Sequence, residues 1–216
     1  EQLQRLDEAA PSQAGRPGLS GIFLTHAHIG HYAGLMYLGK EVIGAKDLPV
    51  YAMPRMSQFL TDNGPWQQLV RIDNIVLKPL SAGEPVPLTA GLRVTPILVP
   101  HRQEYSEVVG YRIEGANASV LFIPDIDSWT QWDALGTRIE DEIARVDVAY
   151  LDGTFFANGE IPGRDMSGFP HPFISASLAA VVPNLRVLET DIDCVPWRHE
   201  FYTHAPEFVD GNMIVP

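Results

Sequence analysis

Residues 20–35 read Ser-Gly-Ile-Phe-Leu-Thr-His-Ala-His-Ile-Gly-His-Tyr-Ala-Gly-Leu, and three of the chain's seven histidines, His26, His28 and His31, fall within six positions of one another. Ahead of them, Gly21 to Leu24 is an apolar run of the length of a buried strand. Behind them, Tyr32 to Ala45 is expected to be a helix with Leu35, Met36 and Leu38 on one face. The histidines therefore belong on a strand-to-helix turn, where side chains can converge on one point. Neutral imidazole is the commonest side-chain metal ligand, and three of them suit zinc or another late divalent ion. A polar loop whose histidines only form hydrogen bonds is the competing reading, and three imidazoles at this spacing disfavour it.

The rest of the chain is expected to build a layered scaffold around that turn. It has 216 residues, 45% of them hydrophobic, enough for one sizeable core. Leu48 to Ala52 is expected to be a strand, Met53 to Asn63 a helix with Pro54 in its first turn, and Ile72 to Leu77 and Leu92 to Val99 strands joined by a turn-rich link from Pro85. Val108 to Ile113 and Ser119 to Ile123 read as a hairpin around Glu114-Gly-Ala-Asn. Trp129 to Ile143 reads as mainly helical, Val146 to Leu151 as a buried strand, Gly159 to Pro172 as a loop, Phe173 to Val182 as a helix and Leu185 to Leu188 as a strand. Residues 1–10 suggest a short amphipathic helix with Leu3 and Leu6 inward. This alternation predicts layered α/β structure with a mixed sheet. The 18 glycines and 18 prolines fit a loop-rich enzyme of that class.

Composition also excludes some functions. A net charge of −12 argues against a general nucleic-acid-binding surface. The single cysteine, Cys194, permits no internal disulfide. No apolar run approaches the ~20 residues needed to span a bilayer. The expected partner is a small-molecule substrate, a homodimer is allowed, and neither nucleic acid nor membrane is expected. The chain opens at Glu1 with no basic-then-apolar leader, so its compartment is left open: cytoplasmic, or exported if a leader was removed.

Thr25-His26-Ala27-His28-Ile29-Gly30-His31 resembles the signature of the metallo-β-lactamase-fold hydrolases, His-x-His-x-Asp-His. The departure is Gly30, which stands where the family has the Asp that ligates a second metal and steers the attacking water. Within that family, residues 20–175 look most like the pyrroloquinoline-quinone biosynthesis protein B group. Pro-His-Arg-x-Glu-Tyr-Ser, Ile-Pro-Asp-Ile-Asp and Asp-Gly-Thr-Phe carry that likeness. The resemblance implies an αββα sandwich over residues 1–216 as a single domain, with N-terminal strands short or missing and an atypical C-terminus.

Further site residues follow from the same likeness. His101, after the apolar strand Ile97-Leu-Val-Pro and ahead of Gly110-Tyr-Arg-Ile, matches a ligand histidine. Asp125, at the end of Val120-Leu-Phe-Ile-Pro, matches an acid that touches the metals and completes a mixed nitrogen and oxygen shell. Asp127 is a candidate to replace the carboxylate lost at Gly30. Asp152 and His171 match an acid and a loop histidine that assist proton transfer, as in the tRNA 3′-processing branch. The expected C-terminal ligand histidines are missing, and His204 is the best replacement; His199, in Trp-Arg-His-Glu, reads as solvated, and the lone Cys194 reads as an inert small hydrophobe rather than a soft ligand.

The implied activity is metal-dependent hydrolysis of an ester, lactone or phosphodiester by metal-bound hydroxide. His26, His28 and His101 are expected to hold one ion. Asp125 and His31, with His204, are expected to line or form a second position. His171 protonates the leaving group in this scheme, and one or two ions of zinc, or of manganese or iron, are required. Two alternatives stand beside it: a metal-dependent oxygenase-type enzyme like protein B of quinone biosynthesis, and a non-catalytic, metal-stabilised protein.

Overall fold

The computed structural model describes residues 19–180, 185–188, 208–209 and 212–214. They divide into two compact units. One runs to Leu80 and takes in Tyr105–Glu107, and the other comprises Ser81–Glu104 and the described residues from Val108 onward. The expected helix at residues 1–10 lies outside the described residues, as do His199, Cys194 and His204.

The first unit is a parallel three-stranded sheet in the order β1 (Ile22–Phe23), β2 (Leu48–Ala52), β3 (Ile75–Pro79). Leu48, Val50 and Ala52 alternate inward along β2, as period-two side-chain geometry requires. Phe23 and Tyr51 are register partners on β1 and β2, and their rings stack at 4.2 Å. Helix α1 (Pro54–Asp62) sends Met56 and Leu60, one turn apart, into a core with Val50, Ile75, Leu35, Leu38 and Trp66. Its N-terminal residue Met53 has no side-chain cap to offer. The Glu107 carboxylate, 52 positions on from Arg55, accepts the Arg55 N–H at 3.0 and 3.2 Å instead. It answers one orphan donor and sets negative charge at the positive end of the helix. Helix α2 (Trp66–Arg71) buries Trp66 and Leu69.

The expected helix over Tyr32–Ala45 is replaced by two 3₁₀ segments, Ile29–His31 and Ala33–Leu38, followed by turns. Gly30, Gly34, Gly39 and Gly44 punctuate this stretch, and each weakens an α-helix by about 1 kcal/mol relative to Ala. Leu35 and Leu38 point inward, whereas Met36 is half exposed rather than on the core face.

The second unit is built on an eight-stranded mixed sheet in the order β10-β11-β9-β8-β7-β6-β5-β4. Its first four strands in sequence are β4 (Val86–Thr89), β5 (Leu92–Leu98), β6 (Val109–Glu114) and β7 (Ser119–Ile123), paired antiparallel. β8 (Val148–Asp152) and β9 (Leu185–Leu188) continue parallel. β11 (Asn212–Ile214) and β10 (Phe208–Val209) follow antiparallel. The expected β6–β7 hairpin is present, with Arg112 opposite Leu121. The link from Pro85 is itself the edge strand β4, with a register shift between Pro87 and Thr89, a place where proline is tolerated in a sheet. At Gly110 the β6 backbone lies so close to β7 that a Cβ would meet Ile123 Cγ1 and the Phe122 carbonyl oxygen at 2.8 Å.

Trp129–Ile143 breaks into α3 (Trp129–Ala134) and α4 (Ile139–Ile143). The break contains Gly136, whose φ of 92° ends the first helix in a conformation glycine adopts freely. These helices and α5 (Ile174–Ala180) contribute Trp132, Ile139 and Ile174 to a core with Leu121, Ile123, Ile126 and Leu151. The buried Trp132 indole is satisfied by the Leu98 carbonyl at 2.9 Å, and Trp129 donates to Ser177 Oγ at 2.9 Å.

Candidate metal centre

In the first unit the chain leaves β1 with one more ladder bond, Leu24 N–H to the Tyr51 carbonyl at 3.0 Å, and then turns. The turn is held by Ala27 N–H donating to Ser106 Oγ at 2.8 Å and by His31 N–H donating to the His28 carbonyl at 2.9 Å. It brings the three motif imidazoles together: the His26 ring centroid lies 4.6 Å from that of His28 and 4.2 Å from that of His31. His26 is buried, with Nδ1 3.1 Å from Thr25 Oγ1 and Nε2 3.0 Å from His28 Nδ1. Two ring nitrogens on one tetrahedral zinc, each at 2.0–2.1 Å, stand about 3.3 Å apart. The His26–His28 pair is close to that spacing, and the Thr25 hydroxyl can hold Nδ1–H while Nε2 serves as ligand.

In the second unit the donors come from the ends of three strands, β7 and β8 side by side and β5 one strand further on, beyond β6. His101 follows β5, Asp125 and Asp127 follow β7, and Asp152 closes β8. The His101 ring is fully buried. Its Nδ1 lies 2.7 Å from Asp127 Oδ1 and its Nε2 3.3 Å from Asp125 Oδ2. A carboxylate can only accept, so Nδ1 carries a hydrogen. A bare Nε2 facing a carboxylate oxygen sets a lone pair against a negative charge, and the gap calls for a cation. Without a metal that cation is a proton. Burial disfavours the imidazolium, but the hydrogen bonds and charges of Asp125 and Asp127 outweigh it and hold the His101 pKa above the ordinary histidine value. With a metal, 3.3 Å is close to the ~3.4 Å expected of a nitrogen and an oxygen on one tetrahedral ion. The donor set therefore fits a divalent cation.

Asp152 and His171 form a second couple. His171 Nδ1–H donates to Asp152 Oδ2 at 2.5 Å. The same oxygen accepts Ile126 N–H at 3.0 Å, while Oδ1 accepts Thr154 N–H at 3.0 Å and Thr154 Oγ1–H at 2.7 Å. All four acceptor positions of this fully buried carboxylate are occupied. Asp152 therefore orients its neighbours and has no lone pair left for an ion. His171 sits at φ 78°, left-handed backbone uncommon for a non-glycine residue. Its ring centroid is 5.3 Å from that of His101. One donor atom from each of Asp125, Asp152 and His171 lies within 4.8 Å of the others.

Of the candidates named from sequence, His26, His28 and His31 thus meet in the first unit, and His101, Asp125, Asp127, Asp152 and His171 meet in the second. His204 lies outside the described residues. Three contributors were not among the residues named from sequence: Ser106, which pins the histidine turn, the Ile126 N–H, and Thr154, which clamps Asp152. Thr154 alone was within reach, since an acid two residues ahead of a Thr is a common local hydrogen-bonding pair.

No curated protein matches this sequence. Among solved structures, the chain aligns with Zn²⁺-bound PqqB of Methylobacterium extorquens at a TM-score of 0.60 and 21% identity, covering 80% of this chain and 57% of that one. The metallo-β-lactamase-fold protein YhfI of Bacillus subtilis aligns at a TM-score of 0.49 and 18% identity, covering 72% of this chain and 56% of that one. The chain thus spans little more than half the length of either. At such identity the likeness to PqqB establishes the fold, which is α/β of the metallo-β-lactamase type. The family described as the beta-lactamase superfamily domain matches residues 1–181, and the chain belongs to that family.

Proposed function

We propose that the protein is a metal-dependent hydrolase acting on an ester, lactone or phosphodiester of a small molecule. One feature carries this reading above the others: a buried imidazole nitrogen facing a buried carboxylate oxygen at 3.3 Å, with the other ring nitrogen already held, is a place made for a cation. The His26–His28 pair and, in the second unit, the His101–Asp125 pair would each offer ligand atoms to a cation. His31 would serve a second position, and His204 is the proposed further ligand. When bound, the ion supplies a nucleophile at neutral pH and a Lewis acid for the substrate's oxygen.

The chain's own residues do the rest. Asp152 accepts from His171 Nδ1–H, so that when the ring also carries its second hydrogen, Nε2–H is the group that hands a proton to the departing oxygen. Thr154 and the Ile126 N–H keep the Asp152 carboxylate from turning. Glycine at position 30 offers no carboxylate to act as general base there.

The test is metal per chain by elemental analysis on the wild type and on His26→Ala, followed by an ester, lactone and phosphodiester panel with the loaded protein. About one ion, lost in the variant, together with turnover of one substrate class, is the expected result. No metal in either protein after reloading with zinc, manganese or iron would end the hydrolase reading.

A further inference from the structure

The residue with no assigned task in this scheme is Asp127. It lies two positions beyond a proposed ligand, which invites the view that it replaces the carboxylate missing at Gly30. The geometry opposes that view. Asp127 Oδ1 lies 2.7 Å from His101 Nδ1, while the ring's other nitrogen faces Asp125. The two nitrogens of an imidazole point away from each other, so a group on Nδ1 does not reach an ion on Nε2.

We propose that Asp127 is a positioning residue that holds the Nδ1–H of His101 and thereby presents Nε2, bare, to the side where Asp125 lies. Ligating histidines characteristically donate their second N–H to a carboxylate or carbonyl, which fixes tautomer and ring orientation. Here the segment that delivers the carboxylate is itself fixed at three consecutive residues. Asp127 N–H donates to the Pro100 carbonyl at 2.8 Å, immediately ahead of His101, so Asp127 is tied to the His101 segment by backbone as well as by side chain. Ile126 is wholly buried, and its N–H is held by Asp152 at 3.0 Å. Asp125 sits on the Nε2 side of the same ring. The turn Asp125-Ile126-Asp127 thus grips His101 at both nitrogens and anchors Asp152 between them.

This inference rests on the hydrolase reading only for its consequence in metal affinity. The tautomer is measured without metal, by long-range ¹H–¹⁵N spectra of histidine-labelled protein at alkaline pH, with His101→Gln to assign the signals. Zinc affinity is measured by competition with a chromophoric chelator, and circular dichroism melting checks that the variants fold. The wild type is expected to carry hydrogen on Nδ1 of His101. Asp127→Ala should lose that preference and weaken zinc binding by about 10–100-fold, the range found for removing such partners. Asp127→Asn, whose amide oxygen still accepts from Nδ1–H, should keep the tautomer and lose less affinity. An Nε2–H tautomer in the wild type, or an Asp127→Ala variant with unchanged tautomer and zinc affinity within twofold of wild type, would overturn the assignment. A wild type that takes up no zinc would instead fail the hydrolase reading, and the tautomer comparison would then decide the role of Asp127 by itself.

Discussion

Asp152→Asn is the most informative single change, because the four bonds to this carboxylate cannot all survive it. Asn keeps one acceptor oxygen and replaces the other with an NH₂ donor. If the oxygen stays with Thr154, the NH₂ faces the Ile126 N–H and the His171 ring. His171 can adapt only by moving its hydrogen to Nε2, and the buried Ile126 N–H is stranded. If the oxygen takes the other side, the Thr154 hydroxyl can rotate to accept, and the Thr154 N–H is stranded instead. Either way one buried donor loses its partner, which costs about 1–3 kcal/mol. For a chain of this size that lowers Tm by about 2–12 °C. The two orientations separate in activity. The first sets an NH₂ against Nδ1, so the ring can no longer carry hydrogens on both nitrogens as a donor from Nε2 must, and it should cost a large part of the 10²–10⁴-fold that general acid catalysis provides.

Differential scanning calorimetry on the metal-loaded protein gives the stability term. Steady-state rates on a matched pair of substrates, one with a good leaving group and one with a poor one, give the other, since a good leaving group needs little protonation. His171→Ala should reproduce the rate loss on the poor leaving group with a smaller fall in Tm. The double variant should be no slower than the slower single one, because the two residues act as a unit. Equal losses on both leaving groups, or a Tm unchanged to within 1 °C in Asp152→Asn, would refute the reasoning.

Gly110→Ala should destabilise by at least the 1–3 kcal/mol typical of overpacking, since its Cβ would meet Ile123 Cγ1 and the Phe122 oxygen at 2.8 Å; a melting curve like the wild type's would contradict that contact. Leu60→Ala, at a fully buried position in the first unit, should cost about 2–5 kcal/mol by urea denaturation. Glu114 titrates below the ordinary glutamate range, chiefly through its hydrogen bond from Arg93, so its contribution is present above its unfolded pKa and fades as pH falls through the lower folded one. Glu114→Gln should therefore be slightly less stable near neutrality, and the gap should close in acid and in high salt; a gap that widens in acid would reverse the sign. Gly30→Asp should raise metal content from about one ion toward two by elemental analysis, and unchanged occupancy would count against a second position beside His31.

Sequence and structure agree where the signal is local. An apolar run ending in a metal-type donor is visible in one dimension, and that is how His26, His101, Asp125 and Asp152 all announce themselves: each ends or follows a strand, where a buried ladder gives way to a turn. The hairpin at Glu114-Gly-Ala-Asn was legible for the same reason. The failures have a different physics. The helix expected after His31 is a run of 3₁₀ turns, because apolar spacing around Leu35 and Leu38 reads alike in both helices while the intervening glycines undercut the longer one. The capping of α1 by Glu107 comes from 52 positions beyond Arg55, and nothing near Met53 hints at it. Pro87 argued for a link and against a strand, yet an edge strand needs only one side of its backbone paired.

The role of Asp127 shows why a ligand shell is harder to read than a ligand. Along a strand, residues two apart share a face, and on that rule Asp125 and Asp127 look interchangeable. What separates them is the orientation of one ring: His101 enters between the two carboxylates, so one meets Nε2 and the other Nδ1. Spacing can say that two acids arrive together, but only the placement of the imidazole between them decides which can share an ion with it and which can only aim it. The same holds for Asp152, whose position suggested a reacting acid. Its four occupied acceptor sites leave the chemistry to the histidine it holds.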